Sequence, residues 1–396
     1  MANALPVLPV TVERRVLWTL YACNFITAVG VWFFIPLLPI FIGRRGGSAA
    51  LVGAVMAAGL LANAAIRYPA GWAADRYGTR VVMVIAMAAY AALFLAYLLP
   101  MPVGLLVAVR FFQGGAAGAF WPAANGLIGD TTAPRQRARA YGLMQATNNA
   151  GMLIGPAAGG FIALFSLSDV MLISAAICAI AAVALASLSG ARAGATAEAP
   201  LPSSRIMRSL APLLVFGAGL SFMIGTFDTI WSLYMTHRGA TTFEVGLSFT
   251  VFAIPAVLFS AQSGVLGEVF GARRLIAGSL VSTALFSIAY PFISSVGWLI
   301  GLGALESALS MAGFPTLMAE VSRVAPAGQQ GRTQGMYQTV QVVIQIVGAL
   351  GGGSLFAINP GYPFWAVSVV CLTGAGTAVA SMLLRRRPAA APQALT

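Results

Sequence analysis

Apolar runs of roughly 20 residues recur along the whole chain, and this feature restricts its fold most strongly. Each run is long enough to cross about 30 Å of hydrocarbon as a helix. The composition agrees, because 59% of the 396 residues are hydrophobic and only 8% are charged. A soluble domain has about 25% charged residues. The chain is therefore predicted to be an all-α polytopic membrane protein.

Charges and turn residues divide the apolar runs into twelve candidate spans. An even number of spans places both termini on the same side of the membrane. The first run is too long for the apolar region of a cleaved signal peptide, so it is predicted to be a membrane helix. The predicted spans are residues 16–42, 50–74, 81–100, 103–129, 140–165, 169–189, 210–236, 244–267, 275–293, 297–319, 335–357 and 363–384.

The arginines indicate how the chain is oriented. All 22 basic residues are arginine, and the twelve spans leave 17 of them on the side of the two termini. The positive-inside rule then predicts that both termini are cytoplasmic. The protein is expected in the inner (cytoplasmic) membrane of the cell. The net charge of +12 is explained by attraction to anionic lipids of that leaflet, so no nucleic-acid partner is predicted.

The longest polar stretch between spans is predicted to be a cytoplasmic linker. It covers residues 191–209, is rich in Ala, Pro and Ser, and separates two six-helix halves, residues 1–190 and 210–396. A constant shift of 193 residues superposes these halves. Among the pairs that this shift makes are Gly78 with Gly271, Asp75 with Glu268, Arg80 with Arg273, Pro122 with Pro315, Gln145 with Gln338 and Gly155 with Gly348.

The repeat has a functional implication. Because each half has an even number of spans, the two repeats run parallel and are related by an axis along the membrane normal. Transporters built in this way hold their substrate near the membrane midplane between the halves. They expose it to either side in turn by rocking one half against the other.

Three motifs carry a family resemblance. A short charged loop follows the second span, the sequence RFFQGG begins at Arg110 in the fourth, and GMLIGPAAGG covers residues 151–160 in the fifth. With these motifs the chain resembles the major facilitator superfamily over its whole length, and in particular its 12-span drug/proton antiporters. The motif residues are Gly71, Asp75, Arg76, Gly78 and Arg80 in the loop, and Gly151, Gly155, Pro156, Gly159 and Gly160 in the fifth span.

The resemblance implies roles for these motifs. The arginine of the fourth-span motif is linked in the family to proton coupling, which here points to Arg110. The motif of the fifth span is typical of the family's exporters, and it is present once, because Ala349 replaces Pro156 in the second half. Asp75 is expected near a helix N-terminus or a loop arginine, where a carboxylate is stabilised and can act as a gating latch.

Four charged residues lie within predicted spans: Arg67, Arg110, Asp228 and Glu306. Each costs about 2.5–3.5 kcal/mol at mid-bilayer on insertion scales, which makes each a functional candidate. Arg67 is close enough to the cytoplasmic interface for its side chain to reach it. The other three lie roughly 10–14 Å below the outer surface, so they are expected to point towards one cavity.

The two acids are candidates for carrying a proton. Neighbouring carboxylates resist joint ionisation, so one of them can hold a proton. The 193-residue shift aligns Glu306 with Gln113, a group that cannot ionise, and this asymmetry favours Glu306. The alternative is a fixed structural ion pair between Arg110 and one acid, with the other acid neutral.

Polar residues on the inner spans are candidates for lining a substrate cavity. Trp231 follows Asp228 by three residues, which places an aromatic ring beside the acid. The alternative is that polar side chains join helix to helix, at about 0.6 kcal/mol each. The cavity candidates are Asn24, Gln113, Trp121, Asn125, Asn148, Asn149, Trp231, Gln338, Gln341 and Gln345.

The favoured function is proton-coupled export of a lipophilic or cationic small molecule by alternating access, with the proton gradient in place of a cofactor and the protein acting as a monomer. Export of a sugar, lipid or metabolite, uptake by symport, and a non-transporting sensor or scaffold remain alternatives. The chain has one histidine, three cysteines within apolar runs, and no phosphate-binding loop. No enzyme, metal site or ATP hydrolysis is therefore predicted.

Overall fold

A computed structural model describes residues 10–132, 136–188, 203–260, 271–310, 313–325 and 330–385. Helices cover every predicted span in this part of the chain, and these ranges contain no strand, so the predicted all-α fold is confirmed. Eight helical segments there are long and apolar enough to cross a membrane, and two shorter apolar helices, Thr242–Pro255 and Val296–Ser310, accompany them.

Close contacts group the described residues into two compact units. The first unit contains the described residues up to 188 together with Asp228–Ala253. The second contains the described residues of 203–227 and those from Ile254 onwards. The segment Asp228–Ala253 thus packs with the first unit, although it follows the predicted linker. The division into two six-helix halves stays a prediction.

Among the described residues, the first unit contains seven complete α-helices and parts of two more. Ser48 caps one of them by accepting a hydrogen bond from the Leu51 N–H, at 3.2 Å. The helices are α1 (Val10–Phe34), α2 (Leu38–Arg44), α3 (Ala49–Tyr77), α4 (Thr79–Ala96), α5 (Leu106–Thr131), α6 (Arg137–Ile162), α7 (Leu167–Ala186) and parts of α8 (Ser203–His237) and α9 (Thr242–Ser260).

The second unit contains the remainder of α8 and α9 and the helices that follow. A 3₁₀ turn, Tyr290–Phe292, ends its first complete helix. The helices after α9 in the described part are α10 (Ala272–Ala289), α11 (Val296–Ser310), α12 (Gly313–Val324), α13 (Gln330–Ile358) and α14 (Tyr362–Arg385).

Left-handed turns repeat between the two parts of the chain. In the described residues, positive φ angles occur only at Gly46, Gly78, Gly239 and Gly271, with φ between 81° and 96°. The shift of 193 residues pairs Gly46 with Gly239 and Gly78 with Gly271. Gly78 and Gly271 each precede the first residue of a helix, α4 and α10. Residues other than glycine rarely adopt this conformation. The 193-residue repeat is therefore present in the backbone conformation as well as in the sequence.

Small residues let the helices of the first unit approach closely. The extensive pairings there are α3 with α5, α1 with α6 and α4 with α7. Gly114 of α5 lies against the backbone of Gly59 in α3, where an added Cβ would collide with the Gly59 carbonyl group. Within a membrane, helix association depends on such packing, because lipid tails are as apolar as the side chains.

Helix α8 begins earlier than the sequence predicts. It starts at Ser203, seven residues before position 210, so the end of the predicted linker is helical. The rest of that linker lies outside the described residues. The three cysteines of the apolar runs, Cys23, Cys178 and Cys371, are free and buried.

Candidate transport site

Arg110 lies half-buried on α5, within the first unit. Its Nη1 donates a hydrogen bond to Oε1 of Gln113 one turn along the helix, at 2.9 Å. The stem of the arginine lies over Gly59 of α3, where an added Cβ would come within 2.8 Å of its Nε. The absence of a side chain at Gly59 therefore makes room for the guanidinium group inside the helical bundle.

Asp228 lies within electrostatic range of this guanidinium group without touching it. The residue is half-buried on α8, and it belongs to the same compact unit as Arg110. The guanidinium charge acts on the Asp228 carboxylate through space. No hydrogen bond or ion pair joins these two described groups, since the ion pair in the described part of the chain is Arg323 with Glu320. A carboxylate without a direct partner can gain or lose a proton without breaking a contact.

Glu306 occupies a different environment, within the second unit. It lies on α11 with 3% of its surface exposed. Tyr290, which is fully buried, donates a hydrogen bond from its phenol to Glu306 Oε2. The rings of Phe227 and Phe364 pack against Tyr290 at centroid distances of 6.2 Å and 5.6 Å. The prediction that Arg110 and both acids share one cavity stays a prediction, because Glu306 belongs to the other unit.

Several predicted cavity residues are buried against neighbouring helices. Asn24 donates from Nδ2 to the Met144 carbonyl and to Thr147 Oγ1, both at 2.9 Å. Gln341 donates from Nε2 to the Leu214 carbonyl at 3.4 Å. These contacts match the alternative that polar side chains join helix to helix.

Trp231 is buried as well, with 1% of its surface exposed. Its indole N–H donates to Ser248 Oγ at 2.9 Å, and its ring meets Phe252 edge to face at 5.3 Å. Packing between α8 and α9 therefore covers the ring of this cavity candidate in this conformation.

Apart from Gln113, the other cavity candidates keep some exposed surface. Asn125 and Gln338 are exposed, and Asn149 accepts a hydrogen bond from Gln145 at 2.9 Å. Gln113 accepts a second hydrogen bond, from the Tyr97 phenol at 3.2 Å, and is fully buried. The half-buried candidates are Trp121, Asn148, Asn149 and Gln345.

The glycines of the fifth-span motif are contact points for two helices. Gly155 and Gly159 face α1, where an added Cβ at Gly155 would lie 2.6 Å from Trp32 Cβ. Gly151 packs against Ala28 of the same helix. Gly160 faces α9 instead, and its carbonyl accepts a hydrogen bond from the Thr242 hydroxyl at 3.1 Å.

Pro156 takes part in the same contact with α9. Its carbonyl oxygen lies against Gly246, where an added Cβ would collide with it. The motif therefore permits the backbones of α6 and α9 to meet within the first unit.

The charged loop is exposed at the end of α3. Asp75 makes no hydrogen bond or ion pair with any described residue, so its predicted partner is not seen in this conformation. Arg76 lies over the rings of Trp72 and Tyr77, at 5.5 Å and 5.8 Å from their centroids. Arg80 donates a hydrogen bond to the Ala186 carbonyl at the end of α7. The corresponding acid of the second half, Glu268, lies outside the described residues.

Gly71 of this loop motif makes an ordinary contact with Pro122 of α5. Arg67, one turn earlier, is exposed and donates two hydrogen bonds to Asn63 Oδ1, at 2.9 Å and 3.2 Å. These bonds turn the guanidinium group back along α3 towards Asn63, so the expectation that Arg67 reaches the cytoplasmic interface stays a prediction. Within the described ranges, no three His, Cys, Asp or Glu side chains cluster closely enough to hold a metal ion.

Sequence analysis missed the two phenols that contact Gln113 and Glu306. Tyr97 and Tyr290 lie 193 residues apart, the same shift that pairs Gln113 with Glu306. The signal was therefore present in the repeat. A tyrosine at the end of an apolar run is so common in membrane helices that it did not stand out.

A solved transporter structure shares this fold. The crystal structure of the peptide transporter POT in complex with sulfate aligns with a TM-score of 0.76 and 14% sequence identity. That alignment covers 93% of this chain and 94% of the transporter. At this identity the likeness shows the fold alone, which is all-α.

The sequence defines the family. The family model of the Major Facilitator Superfamily matches residues 20–227 and 213–395. The chain belongs to this superfamily, and it is a multi-pass membrane transporter.

Two relatives align over almost their full length. Multidrug resistance protein 2 of Bacillus subtilis is 27% identical over 387 residues, which cover 92% of this chain and 94% of that protein. Quinolone resistance protein NorA of Staphylococcus aureus is 25% identical over 373 residues, 91% of this chain and 95% of that protein. The similarity to these two resistance proteins therefore covers more than nine tenths of the chain and is not confined to three motifs.

Proposed function

We propose that this protein exports lipophilic cations from the cytoplasm in exchange for protons. The observation that carries the proposal is Asp228, an unpaired carboxylate half-buried in a membrane helix and within electrostatic reach of Arg110. Charged groups inside the membrane are costly, and they mark ion and substrate pathways. The names of the relatives, multidrug resistance and quinolone resistance proteins, support a drug-like substrate.

The exchange follows from competition for one negative charge. Either a proton or a cationic substrate can neutralise the Asp228 carboxylate, and binding of one lowers the affinity for the other. Arg110 keeps a permanent positive charge nearby, so an empty and deprotonated site is compensated through space. A proton that arrives from the outside therefore displaces a bound cation, and a cation that arrives from the cytoplasm displaces the proton.

Glu306 is the second proton site in this proposal. It is enclosed by Tyr290 and the rings packed around that residue, and a buried carboxyl group takes up a proton more easily than it binds a bulky cation. We assign Asp228 to the competition between cation and proton, and Glu306 to proton uptake alone. The arginine distribution predicts that both termini are cytoplasmic, and in this proposal the protein acts as a monomer.

The test is transport in proteoliposomes with an imposed pH gradient and a fluorescent lipophilic cation as substrate. The wild type is expected to move the dye against its gradient, and a protonophore is expected to stop this movement. Asp228→Asn should abolish gradient-driven transport and weaken binding of the dye. Glu306→Gln should abolish gradient-driven transport while dye binding persists.

A matched control removes a carboxylate outside the site. Asp169 is exposed at the start of α7, so Asp169→Asn should transport like the wild type. Folded wild-type protein that moves no dye in either direction would contradict the choice of substrate. Dye transport that ignores both the pH gradient and the protonophore would contradict proton coupling.

A further inference from the structure

The two halves of the repeat contain the same buried hydrogen bond with a different acceptor. In the first unit, the Tyr97 phenol donates to the amide oxygen of Gln113 at 3.2 Å. In the second unit, the Tyr290 phenol donates to the carboxylate of Glu306. Both tyrosines and both acceptors are related by the shift of 193 residues, and all four residues are buried.

The surroundings of the two tyrosines follow the same shift. Phe34 packs against Tyr97 with ring centroids 4.8 Å apart, and its counterpart Phe227 packs against Tyr290 at 6.2 Å. Each arrangement therefore has a tyrosine as donor, a phenylalanine packed against it, and an acceptor on an equivalent helix, α5 or α11. They differ in the chemistry of the acceptor, because an amide cannot ionise and a carboxyl group can.

A second difference concerns the donors available to each acceptor. Gln113 also accepts from Arg110 at 2.9 Å, whereas the shift places Gly303, which has no side chain, at the position of Arg110. Two titratable groups of the described residues face Glu306: Tyr290 from the 3₁₀ turn after α10, and Cys371 from α14. No charged side chain of those residues acts on it. Among the described residues, the Tyr290 phenol is thus the one hydrogen-bond donor to the Glu306 carboxylate.

We propose that Tyr290 is a positioning residue that sets the pH at which Glu306 takes up its proton, a role that rests on the proposed function above. When Glu306 is ionised, the phenol donates to a full negative charge, and such hydrogen bonds are roughly twice as strong as neutral ones. When a proton from water neutralises the carboxylate, the phenol keeps its own proton and this bond weakens. Tyr97 makes the equivalent bond to a neutral amide, so it has a structural role only.

The direct test is infrared spectroscopy of the purified protein during a pH titration. The carboxylic C=O band of Glu306 is identified by its loss in Glu306→Gln. In Tyr290→Phe the ionised carboxylate loses its donor, so the midpoint of this band should move to higher pH by about one unit or more. Tyr97→Phe, the matched change in the other half, should leave the midpoint unchanged. An unchanged midpoint in Tyr290→Phe, or an equal shift in Tyr97→Phe, would overturn the assignment.

A second measurement covers the case in which Tyr290→Phe fails to fold. In the wild type, a tyrosine ring band should change with the same midpoint as the Glu306 carboxyl band, and this change should be absent in Glu306→Gln. A wild-type tyrosine spectrum that stays constant through the titration contradicts the proposal without any change at Tyr290.

The pH profile of dye transport then connects the pair to function. Tyr290→Phe should displace this profile in the same direction as the infrared midpoint, and Tyr97→Phe should leave it in place. The infrared result does not depend on transport. If the band shifts but transport does not depend on protons, the role of Tyr290 stands and only the proposed function is contradicted.

Discussion

The hydroxyl of Thr250 accepts a hydrogen bond from the backbone N–H of Ala157, at 3.1 Å. The same hydroxyl donates to the Leu153 carbonyl at 2.9 Å. Leu153 and Ala157 are four residues apart, the spacing of one α-helical hydrogen bond, and Pro156 lies between them. A side chain of α9 thus contacts both ends of one backbone hydrogen bond in α6, at the motif of the fifth span.

Replacing Thr250 with valine keeps the shape of the side chain and removes both hydrogen bonds. We expect Thr250→Val to lower the free energy of unfolding by roughly 1 kcal/mol and to speed amide exchange at Ala157. Hydrogen–deuterium exchange across residues 153–160 measures the second effect. Thr373→Val is the control, because the Thr373 hydroxyl is exposed and bonds within its own helix. Equal exchange rates in wild type and Thr250→Val would show that the contact is dispensable.

Two adjacent glycines of the RFFQGG motif are expected to respond differently to the same substitution. Gly114→Ala would place a Cβ against the backbone of Gly59, and such overpacking costs about 1–3 kcal/mol. At Gly115 an added Cβ meets nothing within 4 Å. Gly115→Ala should therefore be neutral, or stabilising by up to about 1 kcal/mol through helix propensity.

Thermal unfolding in one detergent compares these two variants directly. The predicted order of melting temperatures is Gly115→Ala at or above the wild type, and Gly114→Ala clearly below it. The same melting temperature for both variants would mean that α3 and α5 do not approach each other at Gly114 as the structure describes.

Arg110 and Asp228 should be energetically coupled although they do not touch. Arg110→Gln leaves the carboxylate without its compensating charge, and Asp228→Asn leaves the guanidinium group without its partner. The effect of Arg110→Gln on dye affinity should therefore differ by about 0.5 kcal/mol or more between the wild type and the Asp228→Asn variant. Dye binding to the four proteins of the cycle measures this energy.

The control for this cycle replaces Arg110→Gln with Arg67→Gln. Arg67 is exposed and hydrogen-bonded to Asn63, so the effects of Arg67→Gln and Asp228→Asn on dye affinity should be additive. Strict additivity in the Arg110 cycle would contradict the through-space interaction.

Cysteine labelling can establish the orientation in the membrane. The three native thiols are buried, so a membrane-impermeant maleimide should not label the folded wild type. Arg44→Cys and Arg76→Cys place one exposed thiol near each end of α3. If the termini are cytoplasmic, Arg44→Cys reacts in intact cells and Arg76→Cys reacts only after the membrane is permeabilised. The opposite pattern would reverse the predicted topology.

The sequence by itself determined the helices and the family. Runs of apolar residues set where each helix lies, because the hydrocarbon core admits long apolar segments whose backbone groups bond internally. The constant shift of 193 residues predicted a repeat, and the positive φ angles of Gly46, Gly78, Gly239 and Gly271 follow it. The boundary at Ser203 was misjudged, because a polar Ala- and Ser-containing stretch also suits a helix that extends into water.

The tertiary structure decided which partner each polar side chain has. Asn24 and Trp231 were candidates for an open cavity, yet both are buried with hydrogen bonds to other helices. Hydropathy cannot make this distinction, since lipid-facing and protein-facing surfaces of a membrane helix are equally apolar. The contacts of Tyr290 with Glu306 and of Thr250 with Leu153 join helices that only folding brings together. A buried polar group must find a partner, and which partner it finds depends on how the helices pack.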